Sequence, residues 1–197
     1  DLIGQNYNET RKADAFIVSR ILDLLDCEKS DKILDVGCGT GNYTIEISKN
    51  DFEIVGIEPS EKMLSEAKTK NQKINWVQGV AENIPFENES FDAVMATLTI
   101  HHWQNLEKGF SEIFRVLKKG GTFLIFTSTS EQMKNYWLNH YFPEMMKKSI
   151  ILLLVIGSMF SSLVVSSFLI APQHVYALTY DSKEIAEAKR ESDKEVL

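Results

Sequence analysis

Cysteine is nearly absent: Cys27 and Cys38 are the only two in 197 residues. Two cysteines in a mixed helix–strand pattern do not make a disulfide framework, so a stapled secreted domain is excluded and both read as reduced thiols of a cytosolic domain. Positive charge is also scarce. Against 28 Asp and Glu stand 21 Lys and Arg, a formal net charge of −7 at pH 7. A chain with that balance lacks the basic face of a nucleic-acid binder. There is no internal repeat and no low-complexity linker, which removes solenoids and bead-on-string arrangements. What remains, at 44% hydrophobic and 25% charged, is too apolar to be disordered and long enough for one domain with an extension.

Charge is missing altogether in one place. Residues 149–171 carry none; they comprise 16 apolar residues, six Ser and Gly157. About 20 apolar residues suffice for a helix to cross a bilayer. The chain therefore divides near residue 148 into an acidic N-terminal part (1–148), an apolar segment (149–171) and a charged tail (172–197).

The N-terminal part alternates between two periods. Ile17, Ile21, Leu24 and Leu25 form one stripe of a helix over about residues 10–26. Lys32–Val36 is a short apolar run ending in glycines, the mark of a buried strand, and residues 41–49 read as a helix. Further strands are expected at Phe52–Glu58, Ile74–Gln78, Phe91–Thr97 and Thr122–Thr127. Ser60 can cap a helix carrying Met63, Leu64 and Ala67. Leu106, Phe110, Ile113, Phe114 and Leu117 make another helical stripe, which Gly120-Gly121 would stop. Residues 131–148 read as a last helix, bent at Pro143. Such alternation predicts an α/β fold with a parallel sheet and helices on both faces, and ligands in that fold bind beyond the carboxyl ends of the strands.

The residues at those ends are informative. The first strand runs into Asp35-Val36-Gly37-Cys38-Gly39-Thr40-Gly41. The three glycines permit a tight turn and close approach to a ligand. Glu58 closes the second strand about 20 residues on, where an acidic side chain can accept from ribose hydroxyls. The nicotinamide version of this loop places glycine where Asn42 stands. The spacing here therefore disfavours a pyrophosphate cofactor and suits an adenosine ligand with an amino acid at its other end.

The blocks ILDVGCGTG (33–41), IVGIEPS (54–60), GVAENIPF (79–86), FDAVMATLTIHHW (91–103) and EIFRVLKKGGTFLIF (112–126), in that order, make residues from about 3 to 148 resemble the class I S-adenosylmethionine-dependent methyltransferases, in particular the small-molecule type 11 subset. The resemblance implies a Rossmann-like, mostly parallel seven-stranded sheet with S-adenosylmethionine as cofactor. It implies that Gly37, Gly39 and Gly41 curve around the methionine part of the cofactor. Asp35 would orient the amino group and Glu58 would hold the ribose. Pro59 and Met63 would lie near the adenine, with Ala81 and Glu82 beside its ring. Thr97 and Leu98 would border the methionine tail. Many relatives carry Asp where Val80 stands, so Glu82 or backbone groups would have to meet the adenine amino group.

Methyl transfer is an in-line displacement at a sulfonium, in which the protein aligns the nucleophile and excludes water. A base is needed only where the acceptor must lose a proton. His101 and His102 follow the fourth strand and are the candidates for orienting or deprotonating a small-molecule acceptor, with packing as the alternative. Without a third ligand beside them they make no metal site. Tyr7 and Arg11 could cover the cofactor, and Tyr136, Trp137 and Tyr141 could line an acceptor pocket; surface or packing roles serve equally.

Past Lys148 the family's sixth and seventh strands are not recognisable. Met146-Lys147-Lys148, the uncharged run and Val175-Tyr176-Ala177 read together as a basic start, an apolar stretch and an A-x-A-like cleavage site. Three readings follow. One is a signal peptide joined to a truncated methyltransferase frame. Another is a membrane helix, with Lys147 and Lys148 keeping the enzyme side cytoplasmic. The last is a hairpin of 150–156 and 163–170 that pairs with strand five. Without a covering strand, the FLIF edge at 123–126 would be exposed. The leading function is methyl transfer to a small molecule; the alternative is a truncated, membrane-tethered cofactor-binding domain without turnover.

Overall fold

A computed structural model of the chain describes residues 12–127 and the backbone of residues 174–179. Helix α1 is Ala15–Leu25, and Asp14 starts it by accepting from the N–H groups of Phe16 and Ile17 at 3.0 and 3.4 Å. It ends where Asp26 turns left-handed, φ 48°. Ile17, Ile21 and Leu25, four residues apart, are its buried stripe. Then come β1 (Lys32–Val36), α2 (Asn42–Ser48), β2 (Glu53–Glu58), α3 (Glu61–Lys70), β3 (Asn75–Gln78), β4 (Phe91–Thr97), α4 (Leu106–Val116), β5 (Leu117–Thr127) and β6 (His174–Thr179).

The sheet order is β3-β2-β1-β4-β5-β6 and every pair is parallel. Side chains on the central strands alternate between two cores, as a period of two requires. Leu34, Val36, Val55, Ile57, Val94, Ala96, Phe123 and Ile125 pack with Phe110, Ile113 and Val116 of α4. Ile33, Ile54, Ala93, Met95, Leu124 and Phe126 pack with residues of α1, α2 and α3. Both faces being covered explains why the strands read as continuous apolar runs. Each fully buried large side chain contributes about 1.5–3 kcal/mol.

The order reverses at β1, since β2 leads one way and β4 the other. That makes the carboxyl ends of β1 and β4 the switch point of the sheet, the crevice where an open α/β sheet takes its ligand.

Two expectations are corrected. The α4 stripe was expected to run through Leu117 and stop at Gly120-Gly121. Instead α4 ends at Val116, because Leu117 pairs with Phe91 and opens β5. The glycines lie inside the strand. Lys118–Gly121 stand opposite the single residue Asp92 before the ladder resumes at Ala93↔Thr122. Gly120 has φ +81°, and a Cβ on Gly121 would lie 2.6 Å from the Asp92 carbonyl oxygen.

The second correction concerns the edge of β5, expected to stand without a covering strand. His174–Thr179 pairs in parallel with β5 from Thr122↔His174 to Thr127↔Thr179. The FLIF edge is therefore covered. Residues 174–179 belong to the sheet, against the expectation of a cleavage site and a separate tail there. Cleavage after Ala177 would cut β6 in two. Among the described residues no helix is long and apolar enough to cross a membrane. The run 149–171 itself, the proposed hairpin, the helix over 131–148, Tyr7, Arg11, Tyr136, Trp137 and Tyr141 lie outside the described residues.

Candidate functional site

The loop after β1 is held from three sides. From β2, the Ile57 carbonyl accepts from the N–H groups of Gly37 and Cys38, at 2.8 and 3.0 Å. Glu58, only 8% exposed, spends each carboxylate oxygen on a backbone donor: Oε2 accepts from Gly39 N–H at 3.1 Å, and Oε1 from Ser60 N–H at 3.0 Å. Each oxygen keeps further lone-pair capacity. From β4, the Thr99 side chain presses on Gly37 so closely that any Cβ would collide, and Gly37 has φ +75° besides. Only glycine meets both conditions. A Cβ on Gly41, φ +78°, would come within 2.5 Å of the Trp76 ring. Gly39 faces Met63, whose sulfur lies 3.9 Å from where its Cβ would be.

Asp35 is fully buried beneath this loop. Its Oδ2 accepts from the Thr44 hydroxyl at 2.7 Å, while Oδ1 has no hydrogen-bond partner. Burial pushes its pKa up from 3.8 to about 7; the Thr44 bond opposes the rise and the nearby Glu58 charge adds to it. An unmet carboxylate oxygen in the interior carries a desolvation cost that a donor or cation from a ligand would remove.

The loop after β3 is fastened to α4. Glu82 Oε1 accepts from the N–H groups of Gln104 and Asn105, at 2.6 and 3.0 Å, and Asn105 caps α4 by accepting from Lys108 N–H. Arg115 donates to the Ile84 and Phe86 carbonyls, each at 2.8 Å, and pairs with Glu112. That pairing holds the Glu112 carboxyl below its ordinary value and raises Arg115. Ala81 is buried and Val80 is 40% exposed. Pro59 is exposed, and its carbonyl accepts from Gln78 at 3.2 Å.

Beyond β4 the chain turns sharply. Thr97 is half-buried and Leu98 takes a positive φ of 53°, its N–H donating to the Phe126 carbonyl at 2.7 Å. A 3-10 turn, Ile100–His102, follows. His101 is half-buried and His102 exposed, their rings 4.0 Å apart. Trp103 packs edge-on against Phe110 and covers Gly109.

Among the expected site residues, Asp35, Gly37, Gly39, Gly41, Glu58 and Met63 converge at the ends of β1 and β2. Thr97, His101 and His102 stand at the end of β4, and Ala81 and Glu82 after β3. Thr44, Thr99 and Lys70 also meet this loop without having been expected. Thr44 lies three residues past Gly41 and Thr99 two past β4, so proximity to the motifs could have suggested them. Lys70 carries no such signal. Cys27 and Cys38 are both free; burial, helped by neighbouring carboxylates, raises Cys27 to about 12 and Cys38 still higher.

Comparison with known proteins agrees with this geometry. Residues 34–125 match the methyltransferase domain family Methyltransf_11. The chain is 29% identical over 124 residues to the uncharacterized methyltransferase YcgJ of Bacillus subtilis, covering 60% of this chain and 44% of that protein. It is 33% identical over 112 residues to the ubiquinone/menaquinone biosynthesis C-methyltransferase UbiE of Campylobacter jejuni, covering 53% and 48%. A crystal structure from Anabaena variabilis, of a protein provisionally assigned as a methyltransferase of an antibiotic biosynthesis pathway, superimposes with a TM-score of 0.68 at 32% identity, covering 79% of this chain and 62% of that one. Residues 34–125 are thus similar to a methyltransferase domain in both sequence and fold. The chain spans about half the length of the curated relatives it matches.

Proposed function

We propose that this chain binds S-adenosylmethionine at the switch point between β1 and β4 and transfers its methyl group to a small-molecule acceptor. The observation that carries the reading is the buried, unmet Oδ1 of Asp35 beneath a loop in which Gly37 has no room for a side chain. A carboxylate there suits the ammonium end of an amino-acid cofactor, and Glu58 retains lone pairs for ribose hydroxyls. When bound, the cofactor supplies a methyl group already activated by its sulfonium. The protein's part is alignment: Asp35 and Glu58 orient the two ends, and the β4 turn bounds the reacting side. His101 and His102 are proposed to hold or take the acceptor's proton. Glu82 Oε1 is committed to the start of α4, so its proposed part at the adenine edge rests on Oε2. The small acceptor is inferred from the likeness to UbiE, named for quinone biosynthesis.

A second reading is cofactor binding without turnover, which the same Asp35 and Glu58 arrangement would serve. One calorimetric titration with S-adenosylmethionine, paired with labelled-methyl transfer to a demethylated quinone and other small acceptors, separates the two. Binding with transfer, lost on His101→Asn or His102→Asn while binding persists, supports the enzyme; binding without transfer to any acceptor supports the second reading; no binding sinks both.

A further inference from the structure

Lys70 closes α3 and lies far from every motif at the strand ends. Yet its Nζ donates three hydrogen bonds into the glycine loop: to the Thr40 carbonyl and the Thr40 hydroxyl, each at 3.0 Å, and to Asn42 Oδ1 at 2.7 Å. Three donors is the whole capacity of an ammonium. Thr40 is 5% exposed and sits between Gly39 and Gly41. The other end of α3 reaches the same loop by another route: Ser60 caps the helix by accepting from Met63 N–H, and its own N–H holds the Glu58 carboxylate that binds Gly39. α3 therefore braces the loop at both ends, with Met63 against Gly39 between them.

We infer that Lys70 is a positioning residue that sets the conformation of the Gly37–Asn42 loop for S-adenosylmethionine, an inference that rests on the cofactor site proposed above. A loop built on glycines has many backbone conformations to lose, and a cross-link at its far side removes part of that cost before the ligand arrives. Bonds to a charged donor are about twice as strong as neutral ones, and this one side chain makes three of them into the loop.

The test compares the native chain with Lys70→Met, which keeps the stem and removes the donors, and Lys70→Arg, which keeps a charged donor. Hydrogen exchange is followed in the cofactor-free chain, and binding of S-adenosylmethionine by calorimetry well below the melting temperature. Lys70→Met should speed exchange of amides 37–44 and weaken binding about tenfold, with β4 and β5 amides unchanged. Lys70→Arg should recover most of both. Unchanged loop exchange and affinity overturn the inference, as does an exchange increase spread evenly over the sheet, which marks a purely structural role. Should Lys70→Met fail to fold, Asn42→Ala removes the shortest of the three bonds and carries the same expectations at a smaller size. Failure of the native chain to bind the cofactor would refute the site itself and with it this role.

Discussion

The two halves of the sheet are built differently. β1, β2 and β3 are joined through single helices, and their loops hold one another: Ile57 and Glu58 at the end of β2 fix the glycine loop after β1. β4, β5 and β6 depend on distant residues. β5 opens against Phe91 with a four-residue bulge, and the partner on its outer edge comes from residues 174–179. The first half carries local chemistry in contiguous motifs. The second provides the apolar mass on which the first stands.

That contrast can be broken by mutation. Phe123 of β5 is fully buried and packs edge-on with Phe110 and Phe114. Phe123→Ala should cost about 3–5 kcal/mol in a urea unfolding series. A loss under 1 kcal/mol would show that the second half is not the structural base. Next in size is Tyr176→Pro in β6, where a fixed φ and a missing N–H weaken a strand, and which should lower the melting temperature and promote aggregation through the bared β5 edge. Unchanged melting and solution size would mean that residues 174–179 do not close the sheet.

The effect on stability in the first half has the opposite sign. The Asp35 pKa is raised from 3.8 to about 7 in the folded chain. The folded state therefore holds a proton that the unfolded state has lost, and the free chain becomes less stable as pH rises from about 4 to 7. Asp35→Asn should melt higher than the native chain, by a margin wider at pH 8 than at pH 5, and should bind the cofactor far more weakly. In the native chain, binding below pH 7 should release close to one proton, seen as a buffer-dependent heat. An Asn variant that melts lower at pH 8 would remove the basis for a strained, ligand-ready carboxylate.

Legibility follows the same division. Lys32–Val36 and Phe91–Thr97 are the strands the pattern predicts, and β2 begins one residue later than expected, because in a doubly covered parallel sheet apolar runs and strands coincide. Asp35, Glu58 and the three glycines were legible because a strand end, a turn and an acidic cap lie in contiguous residues. Leu117 was misplaced because its helical spacing was outweighed by pairing with Phe91. β6 was illegible for a related reason. HVYALT has β-forming residues but no local partner, and beside an uncharged run it resembles a processing site. Lys70 is illegible because nothing in its neighbours records that it closes on Thr40.

By itself the sequence determined the α/β alternation, the glycine loop and the two acidic strand ends, since each is written in local periodicity and spacing. The tertiary structure alone decided that residues 174–179 join the sheet beside β5, that Asp35 keeps one buried oxygen unmet, and that Lys70 braces the loop from across α3. Those depend on contacts between residues far apart in the chain, and a pattern read along one chain carries no distance between its distant parts.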